Sequence, residues 1–155
     1  MIEKTIARIL KKEKLNLAVA ESCTGGLIAH ALTNIPGSSE YFCCGIVAYS
    51  NQAKQKLLKI PAEMIKTRGA VSKEIALAMA ANIKHLSQAH IGLGITGIAG
   101  PGGGTTSKPV GTVFIAISIG HHAYFKKFNF TGNRIHIKQK AKDAALSLLK
   151  TCLLP

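Results

Sequence analysis

The sequence predicts a three-layer α/β/α sandwich with a mixed, mainly parallel sheet, and three observations lead to this fold class. Short apolar runs typical of buried strands alternate along the chain with segments of helical periodicity. Glycine is plentiful, at 15 residues, and tryptophan is absent, which suits small side chains packed between helices and a sheet. The chain of 155 residues has the size of one ordinary domain, so we predict a single domain over residues 1–155.

The order of the elements follows from apolar spacing and capping residues. An apolar repeat at helical spacing predicts a first helix that ends near Lys14. Ser50 and Ser72 stand where the N-caps of two further helices are needed, and Glu74 adds a favourable negative charge to the first turn of the second one. The apolar runs predict strands over residues 17–20, 41–49, 91–95, 110–119 and 123–130, and helices over residues 27–33, 61–67 and 133–153.

The C-terminal third is predicted to contain a hairpin and a long helix. The turn at Gly120-His121-His122 joins two strand-like runs, which indicates an antiparallel pair at one side of the sheet. The buried side of the last helix is predicted to consist of Ala141, Ala144, Ala145, Leu148 and Leu149.

The charge balance is strongly basic, with 20 Lys and Arg against seven Asp and Glu and a formal net charge of +13. Such an excess suits nucleic acid, an anionic membrane or a phosphorylated small molecule. The lysines are scattered and aromatic residues are few, so we expect no nucleic-acid partner. No apolar run approaches the roughly 18 residues of a membrane span, and the N-terminus lacks a signal-peptide core, so we expect no membrane partner and a cytoplasmic location.

The metal-ligating residue types form no recognisable pattern. The four cysteines (Cys23, Cys43, Cys44 and Cys152) include no CxxC spacing, and the six histidines supply no metal motif. Asp143 is the only aspartate, which disfavours Asp-rich magnesium sites. We therefore expect reduced thiols, no metal and no cofactor.

The stretch from Leu17 to Leu27 carries the clearest functional signal. A buried strand would end at Ser22 just before a helix, where unpaired N–H groups can hold an oxyanion or a phosphate oxygen. Gly25 and Gly26 would allow a ligand to approach the backbone. In the alternative interpretation, Ser22 or Thr24 only caps the helix and the glycines form a tight turn.

Two further strand ends carry polar residues: the segment 49–54 and the glycine-rich loop that starts at Thr96. Ligands in open α/β sheets collect at the carboxyl ends of strands, so we expect these segments to form one site with Ser22. The loop alone is a weak signal, because it contains neither GxxxxGK[ST] nor GxGxxG.

Six segments closely resemble the CinA C-terminal domain family in the same order and over nearly the whole chain. They are AESCTGG at 20–26, PGSS at 36–39, AYSNQAK at 48–54, GAVS at 69–72, TGIAGPGG at 96–103 and PVGTV at 109–113. The family includes stand-alone nicotinamide mononucleotide deamidases, and the resemblance implies hydrolysis of the substrate's carboxamide to nicotinate mononucleotide and ammonia without a metal. Larger members carry an additional N-terminal domain, for which we expect no room in 155 residues.

The resemblance implies a serine amidohydrolase in which Ser22 is the nucleophile, Lys54 is its base and Tyr49 orients the pair. A lysine base must be neutral, so its pKa has to be lowered by burial or by neighbouring positive charge. Two alternatives remain at these positions. Cys23 is an adjacent rival nucleophile or a small buried hydrophobe, and Lys54 is otherwise a solvated helix residue.

The resemblance also implies a binding site for a small-molecule nucleotide. Arg134 suits a bidentate contact with a phosphate, and a cation at a helix start opposes the dipole, which favours a functional or paired role over a plain surface charge. The loop glycines are otherwise a simple connector. The implied substrate-binding residues are Thr24, Gly25, Gly26, Thr96, Gly100, Gly102, Gly103 and Arg134.

The chain departs from the family's pattern in two places. Cys43-Cys44-Gly45 stands where Gly-Gly is usual, a change expected to alter packing only. Asn133 replaces an acid before Arg134, and Lys138 replaces a second arginine, which bears on phosphate affinity. Family members need not all retain activity, so a catalytically silent nucleotide- or partner-binding module is the alternative to the enzyme. We also expect a homo-oligomer.

Overall fold

A computed structural model describes residues 1–154 and contains six α-helices and five strands within them. A 3₁₀ turn at Ser38–Glu40 precedes the second strand. The helices are α1 (Ile2–Glu13), α2 (Leu27–Thr33), α3 (Asn51–Leu58), α4 (Ala62–Arg68), α5 (Lys73–Ser87) and α6 (Arg134–Leu153), and the strands are β1 (Leu17–Glu21), β2 (Phe42–Val47), β3 (Ile91–Gly97), β4 (Thr112–Ile119) and β5 (His122–Asn129).

The five strands form one mixed sheet in the order β2-β1-β3-β4-β5. β1 pairs in parallel with β2 and with β3, whereas β4 is antiparallel to both β3 and β5. Four strands therefore run in one direction and β4 runs against them. The predicted mixed, mainly parallel sheet is confirmed, and so is the hairpin of β4 and β5.

Helices cover both faces of the sheet and produce the predicted three layers. α1, α2 and α6 pack together on one face, while α5 covers the other and carries α3 and α4. The first four residues of β1 are apolar because the strand faces two cores: Leu17 and Val19 belong to the core under α1 and α6, and Ala18 and Ala20 belong to the core under α5. A strand that is buried on both faces has a continuous run of apolar residues rather than an alternating pattern.

Two glycines in β3 set the distance between the sheet and α5. A Cβ added at Gly92 would collide with the carbonyl oxygen of Ala80, and one added at Gly94 would collide with that of Ala76. The alternation of glycine with isoleucine and leucine in this strand therefore has a structural reason. Gly92 and Gly94 admit the helix backbone, while Ile91, Leu93 and Ile95 fill the opposite core.

Several element ends differ from the sequence-based prediction. β2 ends at Val47 rather than Tyr49, because its partner β1 ends at Glu21, which pairs with Val47. β3 extends past residue 95 to Gly97, because its last residues pair with β4. In α6, Leu146 is fully buried although it was not predicted to be, whereas Ala144 and Leu148 are only partly covered.

Two further features concern the cysteines and the character of the helices. All four cysteines are unpaired. Among residues 1–154, no helix combines the length and apolar character needed to cross a membrane.

Candidate active site

A small cavity of about 190 Å³ opens at the carboxyl ends of β1, β2 and β3. These strands run in parallel, so the segments that follow them meet at the same edge of the sheet, as predicted. Five residues predicted to belong to the site line the cavity: Ser22, Tyr49, Lys54, Thr96 and Arg134. The remaining lining residues are Cys23, Asn51, Ala70, Val71, Gly97 and Ala99.

Ser22 and Lys54 are in direct contact within this cavity. Ser22 is the first residue after β1, and its N–H donates to the carbonyl of Ile95 in β3 at 3.1 Å, which fixes the backbone at this point. The Nζ atom of Lys54 lies 3.0 Å from Ser22 Oγ. This distance is within the range in which a proton can pass between a hydroxyl and an amine.

The start of α3 directs Lys54 toward Ser22. Ser50 caps the helix, since its Oγ accepts a hydrogen bond from the N–H of Ala53 at 3.0 Å, as its position in the sequence predicted. Lys54 follows one turn later, with its own N–H bonded to the carbonyl of Ser50. The helix thus begins at the end of β2 and points this side chain back over the end of β1.

The surroundings of Lys54 favour its neutral form. The residue is only 2 % exposed, and burial lowers the pKa of its amine. Its Nζ donates to the carbonyls of Ala48 and Tyr49, at 3.1 and 3.4 Å. No carboxylate among the described residues forms an ion pair with it. The interpretation of Lys54 as a solvated helix residue is therefore wrong.

Glu21, which the sequence analysis did not select, organises the backbone around Ser22. Its carboxylate is 1 % exposed and accepts three hydrogen bonds, from Thr24 Oγ1 at 2.6 Å and from the N–H groups of Ile28 and Ala29 at 3.0 and 3.1 Å. A signal was present in the sequence: α2 has no acidic residue in its first turn, and its N-cap is a glycine. The free N–H groups and the positive dipole end of such a helix are stabilised by a carboxylate from another segment.

Glu21 also corrects two predictions about this stretch. Neither Ser22 nor Thr24 caps α2, and the N–H groups of Ile28 and Ala29 are taken by Glu21 rather than open to a ligand. Thr24 was predicted to bind substrate; its side chain is fully buried and points to the Glu21 carboxylate, which leaves only its backbone N–H for a ligand. Its hydroxyl stabilises the turn instead.

Cys23 lines the cavity beside Ser22 in a form unsuited to nucleophilic attack. Burial raises the pKa of its thiol to about 12, although Lys54 and Lys138 act in the opposite direction. The thiolate is the nucleophilic form of cysteine, so this residue fits the interpretation of a small buried hydrophobe.

Arg134 joins two segments at the mouth of the cavity. Its Nη1 donates to the carbonyl of Gly100 and its Nη2 to the hydroxyl of Tyr49, both at 2.6 Å. Both partners are neutral oxygens, and no carboxylate among the described residues forms an ion pair with this helix-start cation. Tyr49 was predicted to orient Ser22 and Lys54, but the residue is 56 % exposed and its hydroxyl accepts from Arg134, so its one hydrogen bond with Lys54 is accepted by its backbone carbonyl.

The other predicted binding residues lie in different surroundings. Thr96 is buried, and its hydroxyl donates to the carbonyl of Ala70 at 2.8 Å, which ties the end of β3 to the start of α5. Gly102 and Gly103 are exposed and lie outside the cavity lining. Lys108 fastens their loop by donating to the carbonyls of Arg68 and Val71.

Gly25 and Gly26 also lie outside the cavity lining, at the turn before α2. A Cβ built on Gly25 would stand 3.5 Å from the Nζ of Lys138, so the ammonium of this half-buried lysine lies against the turn. Lys138 follows Arg134 by one helical turn, which places two cations on one side of the cavity mouth. Among residues 1–154, no group of three or more His, Cys, Asp and Glu is arranged to hold a metal ion.

Comparisons with known proteins match nearly the whole chain. The model of the CinA C-terminal domain matches residues 1–153. A "CinA-like protein" of Desulfotalea psychrophila is 48% identical over 96% of this chain, which spans 36% of that relative's length. The crystal structure of competence damage-inducible protein A from Klebsiella pneumoniae superposes with a TM-score of 0.95 at 33% identity, covering 98% of this chain and 94% of that one. The competence/damage inducible protein CihA of Agrobacterium tumefaciens gives 0.92 at 39% identity, covering 98% and 94%.

Proposed function

The chain belongs to the CinA C-terminal domain family, and from that premise we propose that it is a Ser/Lys amidohydrolase that converts nicotinamide mononucleotide to nicotinate mononucleotide and ammonia. One observation carries the proposal: the buried amine of Lys54 lies 3.0 Å from the hydroxyl of Ser22 in a cavity. A nucleophile and a base at this distance are the parts that acyl transfer requires.

The geometry supports a balanced sequence of bond changes. Neutral Lys54 takes the hydroxyl proton while Ser22 Oγ attacks the carboxamide carbon. The resulting ammonium returns the proton to the departing nitrogen, so the C–N bond breaks, ammonia leaves and an ester to Ser22 remains. Lys54 then takes a proton from a water molecule that attacks the ester. The carboxylic acid forms and Ser22 regains its proton.

The charge that develops on the carboxamide oxygen needs hydrogen-bond donors in the turn after Ser22. In that turn the N–H groups of Gly25 and Leu27 are bonded to backbone carbonyls, and those of Ile28 and Ala29 to Glu21. The N–H groups of Cys23, Thr24 and Gly26 donate to no backbone carbonyl and no carboxylate among the described residues. We assign the amides of Cys23 and Thr24 to the oxyanion because they directly follow Ser22 and because preorganised backbone donors stabilise such charge strongly.

The size of the cavity suggests how the substrate lies. A volume of about 190 Å³ is smaller than the roughly 300–1,000 Å³ of typical ligand pockets. We therefore place the pyridine carboxamide inside and the ribose phosphate at the mouth, where Arg134 and Lys138 supply positive charge. Arg134 uses two of its five N–H donors on Gly100 and Tyr49, so the others remain for a phosphate.

Release of ammonia from nicotinamide mononucleotide by the purified protein tests the proposal. We expect turnover by the wild type, its loss in Ser22→Ala and its retention in the matched neighbour variant Cys23→Ala. Each substitution removes a single heavy atom in the same turn, so thermal unfolding of both variants shows whether a loss reflects chemistry or folding. Binding of the mononucleotide without ammonia release would instead support the catalytically silent module.

The place of action forms part of the same proposal. Four unpaired thiols fit a reducing compartment, and from them we propose a cytoplasmic location.

A further inference from the structure

One face of β5 carries an unusual row of side chains at the edge of the sheet. Alternation along the strand places His122, Tyr124, Lys126 and Phe128 on the same side, which we call the β5 face. Their partners in β4, among them Ile117 and Ile115, belong to the core under α1 and α6. α6 packs over β3 and β4 but leaves the β5 face largely in solvent, with Tyr124 44 % exposed.

The rings on the β5 face are close to one another and to a cation. The ring centroids of His122 and Tyr124 are 6.3 Å apart. The Nζ of Lys126 lies 5.3 Å from the centroid of Phe128, which stacks on Phe130 at 5.2 Å. The chain has few aromatic residues, and its overall composition does not reveal that they are grouped. Five of its eight Phe and Tyr residues lie in this hairpin and just after it: Phe114, Tyr124, Phe125, Phe128 and Phe130.

The sequence on both sides of β5 carries charge of one sign. Between Glu74 and Asp143 the sequence contains no acidic residue, whereas it contains eight cations: Lys84, Lys108, Lys126, Lys127, Arg134, Lys138, Lys140 and Lys142. Among the described residues, Lys126 and Lys127 form no salt bridge. An anionic partner could therefore approach without displacing a carboxylate from these two ammonium groups.

The charge and the ring geometry favour one class of partner for the β5 face. A second copy paired through β5 would bring the same lysines against each other, with no acid in this part of the chain to oppose them. An anionic membrane is usually bound by an amphipathic helix with a continuous apolar face, whereas here flat rings alternate with a lysine along a strand. Rings beside cations are the combination that binds unpaired bases and their phosphates.

We propose that the β5 face binds single-stranded nucleic acid, with bases stacked on His122 and Tyr124 and phosphates held by Lys126. This inference reverses the expectation from composition that the chain has no nucleic-acid partner. It is independent of the amidohydrolase, because the β5 face shares no residue with the cavity at Ser22.

Fluorescence anisotropy with a labelled oligothymidylate of about 20 nucleotides tests the proposal on the whole chain, since that length exceeds common site sizes. We expect binding with a Kd of roughly 1–100 μM at moderate salt. Tyr124→Ala should weaken binding at least about fivefold, whereas Tyr124→Phe, which keeps the ring, should not. Lys126→Ala should weaken binding and reduce the slope of log K against log salt by about 0.7.

Two control variants make the result specific. Lys66→Ala removes an exposed cation from the end of α4 and should leave binding nearly unchanged. Arg134→Ala should also leave binding of the oligonucleotide nearly unchanged. A large loss of affinity in this variant would locate the oligonucleotide at the cavity and overturn the proposal.

Four other results would also overturn it: no binding by the wild type, equal losses in Lys126→Ala and Lys66→Ala, full affinity in Tyr124→Ala, or tighter binding to phosphatidylserine vesicles than to the oligonucleotide. The first of these would leave Lys126 as a charge that only protects a sheet edge from pairing.

Discussion

The cavity at Ser22 and the β5 face use the same residue type in opposite ways. Lys54 is 2 % exposed, and its amine contacts a hydroxyl and two backbone carbonyls. Lys126 is exposed, and its ammonium lies over an aromatic ring. Burial penalises the charged form of Lys54, whereas a solvated ammonium retains its attraction for distant anions.

This difference shows that the lysines that make up the net charge are suited to different functions. One buried lysine is suited to exchange protons, and one exposed strand is suited to attract an anion. The element that carries each lysine decides the outcome: α3 begins at the end of a parallel strand and points inward, whereas β5 has a neighbouring strand on one side only. The following predictions test this contrast, from the largest expected effect to the smallest.

Replacement of Lys54 should have the largest effect. Lys54→Arg keeps the charge but cannot lose a proton near neutral pH, so ammonia release should fall by roughly two to four orders of magnitude. Because a guanidinium is larger than an ammonium, Lys54→Met provides a second, uncharged test and should be equally inactive. Lys126→Arg is the matched control and should keep wild-type turnover. Substantial activity in both Lys54 variants would exclude the lysine as base.

Arg134→Ala should have the next largest effect, because the side chain bridges Gly100 and Tyr49 and faces the proposed phosphate. We expect kcat/KM for nicotinamide mononucleotide to fall about tenfold or more, mostly through KM, as for loss of a charged hydrogen bond. For nicotinamide riboside, which lacks the phosphate, the same substitution should lower kcat/KM much less.

The control for Arg134 lies on the same helix. Lys140→Ala removes an ammonium group that donates to the Thr131 carbonyl away from the cavity. This variant should keep wild-type kcat/KM for both substrates. Equal losses for the mononucleotide and the riboside in Arg134→Ala would assign this residue to loop positioning alone.

Glu21→Gln should destabilise the fold more than it alters any contact with substrate. The amide keeps one acceptor but loses the charge and one of the oxygens that serve Thr24, Ile28 and Ala29. We expect the free energy of unfolding in urea to fall by about 2 kcal/mol. Glu40→Gln, which breaks the exposed pair with Lys11, should change it by less than about 1 kcal/mol. Similar values for the two variants would contradict the role assigned to Glu21.

The sequence predicted those parts of the site that depend on topology. Ser22 and Lys54 meet because each follows a parallel strand, and the carboxyl ends of such strands share one edge of the sheet. Ser50 was predictable for a similar reason, since an N-cap depends on residues only three positions apart.

The contacts that the sequence did not predict depend on longer separations. Tyr49 and Arg134 are 85 residues apart, and no periodicity connects them. Glu21 binds N–H groups seven and eight residues later, and the same sequence would fit an ordinary acid at the end of a strand. The β5 face escaped detection because composition averages over the chain, whereas the hairpin register brings its rings together.

The smallest expected effect is a pH dependence of stability that burial of Lys54 should produce. Because burial lowers the folded-state pKa of this amine, a window exists in which the unfolded chain binds its proton and the folded chain does not. Across that window, from the lowered pKa up to about 10.4, the free energy of unfolding should rise with pH, by at most about 1.4 kcal/mol per pH unit. Below the window both states hold the proton, and the dependence should vanish.

Urea unfolding of the wild type and Lys54→Met over a series of pH values measures this dependence, since the other titrating groups largely cancel in the difference between the two proteins. The difference should begin to rise with pH where kcat/KM for ammonia release levels off, because both changes mark the folded-state pKa of Lys54. A difference that falls with pH, or that begins to rise at a pH well away from the one at which kcat/KM levels off, would mean that the rate reports another group. The contrast between a buried, proton-exchanging Lys54 and an exposed Lys126 would then lose its chemical basis.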